Sequence, residues 1–296
     1  MSTLHRRLPY ADQGHDHVRA GLELRFFDRL LAELLPRAGG EVLDLGCGDG
    51  LAARLAGPRL SRYVGLDMRR PEPDIEGDFV EHDLRHGLGP VGGRPFDLYL
   101  ATFGVASHIG PEELSRLLAQ IAGHACPGAL VALEALGLFS LEWPGLWATE
   151  AGHRRILPYR LGGDVTVHPW APRELAGLFE VAGIEPVRAI DRTVQAGPKT
   201  GCGRYWPGLP QLRRAANDLL GDSAGEDAAR ATLGRHLPPL PAGPAAALHH
   251  SLAERRREIV SCHTGGATAL AGALWDLEPR SGGGFGHGLT LVGRVT

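Results

Sequence analysis

Apolar residues recur at helical spacing near the start of the chain and then fall into short runs separated by helical segments. A first amphipathic helix is predicted over residues 15–35 and ended by Pro36, with apolar positions four residues apart at Val18, Leu22, Phe26, Leu30 and Leu34. Helices are also predicted at 51–56 and 111–124, between strands that cover residues 41–45, 62–67, 78–83, 96–102 and 129–136. Strands that alternate with helices indicate a largely parallel sheet with helices on both faces.

The second half of the chain follows a looser pattern. A long connection at 137–171 leads to a helix at 172–182 and a strand at 184–190, and a last strand is predicted at 289–295. Between residues 193 and 281 the pattern is only helical or loop-like, with Arg213 among the polar positions of one amphipathic helix. We therefore predict a core of residues 1–192 plus 282–296 and a helical insertion at 193–281, which serves as a cap or a dimerisation element.

Composition narrows the classes of partner and the compartment. The net charge of −3 over 296 residues gives no basic footprint for nucleic acid. The longest apolar stretch, residues 129–139, is too short to span a bilayer, and the first residues lack the apolar core of a signal peptide. The cysteines are far apart, which favours a reduced cytoplasmic protein; they are Cys47, Cys126, Cys202 and Cys262.

A glycine-rich loop at residues 46–50 directly follows the first predicted strand. Alone it is weak evidence, because a tight strand-to-helix turn has the same composition. However, Asp44, Asp67 and Asp83 stand at the ends of three successive strands, and ligands of open parallel sheets bind at that edge. Asp67 is near the spacing at which an acidic residue reaches ribose hydroxyls, whereas Leu51 occupies the third glycine position of the dinucleotide pattern. The loop therefore predicts a nucleoside ligand other than a dinucleotide.

The segments LDLGCGDG, GLD, HDL and FDLYLATFGVASHI together resemble the class I S-adenosylmethionine-dependent methyltransferases over residues 15–192 and the last strand. The resemblance implies an α/β, Rossmann-like sheet of seven mostly parallel strands, the last one antiparallel. It also implies S-adenosylmethionine as cofactor and S-adenosylhomocysteine as product. The amino-acid end would be held by Asp44, Gly46, Cys47, Gly48 and Gly50, the ribose by Asp67, the adenine by Met68, Asp83 and Leu84, and the methionine portion by Ala101 and Thr102.

Methyl transfer depends mainly on orienting the acceptor, and a hydroxyl acceptor also benefits from a base with a pKa near neutrality. His108, after the fourth strand, is the candidate base; the alternative is a structural histidine that fixes the loop by hydrogen bonding. His153 and His168 are lesser candidates. The tryptophans of the long connection either line an aromatic substrate pocket or cover the sheet edge; they are Trp143, Trp147 and Trp170.

These observations predict methyl transfer to a small molecule in bacterial specialised metabolism, with oxygen as the preferred acceptor and nitrogen and carbon as open alternatives. The chain lacks the [DN]-P-P-[YF] motif of many amino-methyltransferases after the fourth strand. His249, His250 and His263 lack a supporting ligand pattern, so no metal site is expected. A non-methylating homologue such as a cyclase or regulatory binder, a macromolecule methyltransferase and a homodimer stay open as alternatives.

Overall fold

The computed structural model describes the following parts of the chain: residues 17–18, 23–70, 77–148, 156–160, 164–193, 209–221, 226–235, 243, 245–277 and 281–296. Their helices are α1 Leu24–Ala38, α2 Leu51–Ala56, α3 Pro111–His124, α4 Pro172–Val181, α5 Leu209–Gly221, α6 Glu226–Arg235, α7 Ala246–Cys262 and α8 Ala267–Asp276. The strands are β1 Glu41–Leu45, β2 Arg62–Asp67, β3 Asp78–Glu81, β4 Leu98–Ala101, β5 Leu130–Gly137, β6 Leu157–Arg160, β7 Asp164–Val167, β8 Pro169–Trp170, β9 Ile184–Arg192 and β10 Gly288–Val295.

The central sheet has the order β3-β2-β1-β4-β5-β10-β9, and the short strand β8 pairs with β5 as an eighth member. Strands β1 to β5 pair in parallel, whereas β10 runs antiparallel to both β5 and β9. The predicted α/β, Rossmann-like architecture is confirmed, with β8 as the one strand of this sheet beyond the seven expected.

Two apolar clusters cover the two faces of the sheet. Helices α1 and α2 pack on one face through Phe27, Leu31 and Ala53, while α3 and α4 pack on the other through Leu117 and Phe179. Because β1, β2 and β4 are buried on both faces, their sequences are continuous apolar runs, which is why their positions could be predicted.

The predicted bounds of the first helix are wrong at its end. Residues 17–18 are helical and α1 begins at Leu24, but it continues through Pro36 to Ala38. A proline in the last turn removes only one backbone donor, so the helix persists until Gly39, whose φ of 68° is left-handed.

The long connection contains structure that the sequence pattern did not indicate. Strands β6 and β7 form an antiparallel hairpin, and β8 joins the main sheet next to Gly137. Each strand has four residues or fewer, a length at which alternation cannot be distinguished from an extended loop.

The described residues between β9 and β10 form four helices, α5 to α8. They share an apolar cluster of their own that includes Leu219, Leu233 and Leu270. Arg213 of α5, expected on the polar face, is instead buried, and its Nη1 lies 2.8 Å from Oε1 of the buried Glu23. Its charge is thus compensated inside the protein, which ties the helices to the segment before α1. None of the described helices has the length and apolar character needed to cross a membrane.

Candidate cofactor and acceptor site

The glycine loop turns immediately after β1 and is held against β2. The backbone N–H groups of Gly46 and Cys47 both donate to the carbonyl oxygen of Leu66, at 2.7 and 3.1 Å. Gly46, Gly48 and Gly50 have φ values of 70°, 55° and 73°, a region that other residues enter at a cost. The turn therefore requires glycine at these positions.

The surroundings of the glycines differ in a way that bears on the cofactor. A Cβ added to Gly46 would lie 2.7 Å from Cγ2 of Val105, whereas one added to Gly48 would meet no atom within 4 Å. The backbone at Gly48 thus borders open space beside Asp67. This is the arrangement that close approach of a ligand to the backbone needs, so the loop fits the predicted cofactor.

Asp67, at the end of β2, is oriented by two backbone donors. The N–H of Gly48 donates to its Oδ2 at 2.9 Å, and the N–H of Met68 donates to Oδ1 at 2.7 Å. A carboxylate has about four lone-pair sites, so both oxygens keep acceptor capacity for the two hydroxyls of a ribose. The Met68 side chain is 53% exposed at the same edge, an apolar surface available to a planar base.

Asp44 is buried at the end of β1 and accepts a hydrogen bond from the Tyr63 hydroxyl at 2.7 Å. Burial raises the pKa of its carboxyl to about 7, against the opposing effect of the Tyr63 bond, and the negative charge of Asp67 raises it further. Burial also raises the pKa of the neighbouring Cys47 thiol. Asp44 therefore changes charge near neutral pH at the position predicted for the cofactor's amino-acid end.

Asp83 lies beyond β3 and has close protein partners. Its Oδ1 accepts from the backbone N–H of Arg85 at 3.0 Å, and the Arg85 guanidinium contacts both carboxylate oxygens. These hydrogen bonds lower the pKa of Asp83 to about 2. Leu84 is buried in the short turn that follows. A contact between Asp83 and an adenine amino group, which stays a prediction, would have to be shared with Arg85.

The chain after β4 makes a tight turn at the edge of the sheet where the acceptor is predicted to bind. Ala101 and Thr102 are buried, and Phe103 adopts a φ of 56°, which is strained for a residue other than glycine. Phe103 packs edge-on against Phe27 with ring centroids 5.2 Å apart, and the Arg192 guanidinium lies 5.1 Å from its ring centroid. These contacts hold the strained residue in place.

Ser107, and not His108, fixes this turn. The Ser107 hydroxyl accepts a hydrogen bond from the N–H of Leu136 at 2.8 Å, and its carbonyl accepts from the N–H of His168 at 2.8 Å. His108 is half-buried, and none of the described residues forms a hydrogen bond with its imidazole. Burial lowers its pKa, so the ring is neutral at neutral pH and can accept a proton.

The other predicted aromatic and histidine candidates divide into three groups. His153 lies outside the described residues. Trp143 and Trp147 are buried after β5 and donate their indole N–H groups to the carbonyls of Gly137 and Ser140. Trp170 belongs to the core cluster that contains Leu175 and Phe179, and so covers the sheet.

A carboxylate–imidazole pair that the sequence analysis missed lies at the same edge of the sheet. Glu142, after β5, is 2% exposed, and Nδ1 of His287 lies 2.6 Å from its Oε1. His287 directly precedes β10, and its carbonyl accepts from the N–H of Gly137 at 3.3 Å. Because β10 is antiparallel, its first residue comes to the edge where β5 ends.

Asp191 fixes the segment that carries His287. Its Oδ2 accepts from the N–H of Gly283 at 2.9 Å, while Oδ1 accepts from Gly284, Phe285 and Gly286 at 3.0, 3.0 and 3.3 Å. Burial raises the pKa of Asp191 to about 6, although these four hydrogen bonds act to lower it. The carboxylate thus organises residues 283–286 from the neighbouring strand β9.

A second buried charge pair supports the sheet close to Phe103. Arg192 of β9 makes a bidentate contact with Glu134 of β5, with Nη2 to Oε1 at 2.6 Å and Nε to Oε2 at 3.1 Å.

The predicted absence of a metal stays a prediction; within the described ranges, His, Cys, Asp and Glu side chains form no group of three that could hold a metal ion.

Comparison with known proteins identifies the family. The methyltransferase domain family matches residues 16–189. Cypemycin N-terminal methyltransferase from Streptomyces sp is 30% identical over 168 residues, which are 52% of this chain and 65% of the relative. Ribosomal protein L11 methyltransferase from Xylella fastidiosa is 33% identical over 129 residues, which are 40% of this chain and 39% of the relative.

The chain thus spans less than two thirds of either curated relative. Among solved structures, an S-adenosylmethionine-dependent methyltransferase from Clostridium acetobutylicum is similar, with 11% identity, a TM-score of 0.48, and coverage of 62% of this chain and 91% of its own. Because the family match extends over more than half of the chain, this protein belongs to the methyltransferase domain family, which confirms the predicted class I family and its cofactor, S-adenosylmethionine.

Proposed function

We propose that this protein transfers a methyl group from S-adenosylmethionine to a small molecule of bacterial specialised metabolism. The observation that carries the proposal is the geometry of Asp67, whose carboxylate is oriented by two backbone N–H groups beside the open space over Gly48. When bound, the cofactor supplies a methyl group on a positively charged sulfur. The chain's own task is then to hold the cofactor and to orient the acceptor.

Different residues along this edge of the sheet would perform different parts of this task. Asp67, Met68 and the loop 46–50 would hold the nucleoside and amino-acid portions, with Asp44 facing the amino group. Ala101 and Thr102 would lie beside the methionine portion. His108, neutral and without a hydrogen-bond partner among the described residues, would take the proton from an acceptor hydroxyl. Oxygen therefore remains the first acceptor to test.

Helices α5 to α8 would cap the acceptor side. Two contacts favour this part of the proposal: Arg213 of α5 pairs with Glu23, and Nε2 of His249 in α7 donates to the carbonyl of Phe139 at 2.8 Å. The second contact lies on the loop after β5, the strand that pairs with β4, after which the methyl site is predicted. A cap at this position would exclude water from the reaction. We keep a cytoplasmic location in the proposal because the cysteines are widely spaced.

A second candidate function is methylation of a peptide or protein amino group. It is favoured by the names of the two curated relatives, one for an N-terminal methyltransferase and one for a ribosomal protein methyltransferase. Both functions use the same cofactor site, so only the acceptor distinguishes them.

One experiment tests the proposal and separates it from its alternatives. The purified chain is incubated with S-adenosylmethionine and either the small-molecule or the peptide fraction of an actinobacterial extract, and S-adenosylhomocysteine is measured. Product formation with the small-molecule fraction, together with one metabolite gaining a methyl group in mass spectrometry, is expected. Cofactor binding without product in either fraction would favour a non-methylating homologue.

A further inference from the structure

A group of aromatic rings lies beside His287, the partner of Glu142, and around Phe285, two residues before it. The rings of Trp143 and His287 have centroids 6.4 Å apart. Phe285, two residues before His287, lies 6.2 Å from Phe139 and 5.8 Å from His249. The rings therefore come from three places in the chain, which are the loop after β5, α7 and the residues before β10, and the Glu142–His287 pair lies beside Trp143.

The buried carboxylate of Glu142 has acceptor capacity that no described residue uses. Oε1 of Glu142 accepts a hydrogen bond from His287, whereas Oε2 is buried and has no hydrogen-bond partner among the described residues. A buried carboxylate oxygen without a partner is costly, and such groups in folded proteins call for a specific explanation. A ligand that donates to Oε2 provides one.

His249 adds a second acceptor of the same kind. Its Nε2 faces the carbonyl oxygen of Phe139, which can only accept, so Nε2 carries the proton and Nδ1 has a free lone pair. Nδ1 is also buried, and it has no hydrogen-bond partner in the part of the chain that the structure describes. Trp170 Nε1 is a buried donor that no described residue accepts from, but Trp170 belongs to the core cluster with Leu175 and Phe179 and not to this group of rings.

The unused oxygen of the buried Glu142 carboxylate, next to the Trp143 ring, defines the complementary ligand, and His249 adds an unused acceptor beside Phe285. A protonated amine carries several N–H donors and a positive charge, and aromatic faces attract such a charge. An anionic or donor-free ligand would leave Oε2 of this buried carboxylate without a hydrogen bond.

We propose that Glu142 binds a protonated amine of the acceptor molecule, so that the substrates are amine-bearing small molecules. This inference rests on the proposed function, because it places the amine on the molecule that receives the methyl group. His287 is a positioning residue in this arrangement, since it holds Oε1 and leaves Oε2 for the ligand.

The test uses matched probes that differ only in the amine: tyramine against tyrosol, and glucosamine against glucose. Binding to the full chain loaded with S-adenosylhomocysteine is measured by calorimetry and thermal shift. We expect each amine to bind the wild type about tenfold to a hundredfold more tightly than its hydroxyl partner, as a charge-assisted hydrogen bond to a buried carboxylate predicts. Glu142→Gln is expected to remove that difference, while Glu142→Asp keeps part of it.

Glu258→Gln, which removes an exposed carboxylate from α7, is the matched control and should bind like the wild type. Equal affinity of the wild type for both members of each pair, including no measurable binding of either, overturns the proposal. So does an unchanged preference in Glu142→Gln. If Glu142→Gln melts several degrees below the wild type, the affinities of the wild type for each amine and its hydroxyl partner alone decide whether the proposal holds. Loading with S-adenosylhomocysteine is measured first, so a failure of the proposed function appears separately as absent cofactor binding.

Discussion

The charge state of Asp44 should control cofactor affinity in the neutral pH range. Its carboxyl is buried, and its pKa is raised from 3.8 to about 7 mainly by that burial. If the ionised carboxylate faces the cofactor's ammonium group, binding requires loss of this proton. Affinity for S-adenosylhomocysteine is therefore expected to fall as the pH falls through about 7.

The size of the effect follows from the fraction of Asp44 that is ionised. With a pKa of about 7, that fraction is about three quarters at pH 7.5 and about 3% at pH 5.5. The dissociation constant should thus rise about 25-fold over these two pH units. The measurements do not go above pH 7.5, because the α-amino group of the ligand itself loses its proton near pH 8.

Isothermal titration calorimetry of the wild type and Asp44→Asn across this range is the assay. Asp44→Asn should bind S-adenosylhomocysteine more weakly than the wild type at pH 7.5, and its affinity should not change with pH. The affinity of the wild type for 5′-methylthioadenosine, which lacks the amino-acid portion, should not change with pH either. The raised pKa also means that the folded chain holds a proton between about pH 4 and 7 that the unfolded chain has released. The free energy of unfolding should therefore fall with rising pH more steeply in the wild type than in Asp44→Asn. A wild-type profile that is flat for S-adenosylhomocysteine refutes the assignment of Asp44.

Four further perturbations test the site. Asp67→Ala should weaken cofactor binding about tenfold to a hundredfold in calorimetry, since its carboxylate serves two hydroxyls; unchanged affinity removes it from the ribose site. Gly48→Ala should lower stability by only about 1 kcal/mol, because its Cβ meets no protein atom, yet weaken cofactor binding at least about tenfold. His108→Ala should leave cofactor affinity within twofold and lower turnover about 10²–10⁴-fold, and the acid limb of the wild-type rate profile should lie below pH 6.5. Replacing residues 197–282 with a short linker should preserve measurable cofactor binding and abolish transfer; normal turnover would exclude a cap, and a change from dimer to monomer in light scattering with activity retained would indicate an assembly element.

The central strands could be predicted because burial on both faces makes each a continuous apolar run. The bounds of β1, β2 and α3 agree with the prediction. The β6–β7 hairpin could not be predicted, since four-residue strands carry too little pattern. Arg213 shows a further limit: its charge suggested solvent, but its partner Glu23 lies 190 positions away.

In the candidate site too, some residues are close in the sequence and others come together only in the fold. The glycine loop and Asp67 were predictable because their chemistry is set within a short stretch after two adjacent strands. Glu142 and His287 are 145 positions apart, and Asp191 acts on a segment 92 to 95 positions later. No spacing rule joins such residues, because only the return of β10 to β5 brings them together.

One signal in the sequence could have located this acceptor side. In a sheet whose last strand is antiparallel, the residues before that strand arrive at the same edge as the residues that follow the parallel strands. The glycine-rich run before β10 should thus be examined for functional side chains just as the loop after β1 is. The two halves of the sheet are therefore expected to have different roles. In the proposed function, strands β1 to β4 would present the cofactor residues, while β5, β10 and the helices between β9 and β10 would set the chemistry of the acceptor. Variation in those helices and in the segment before β10 would then change the substrate without changing the cofactor site.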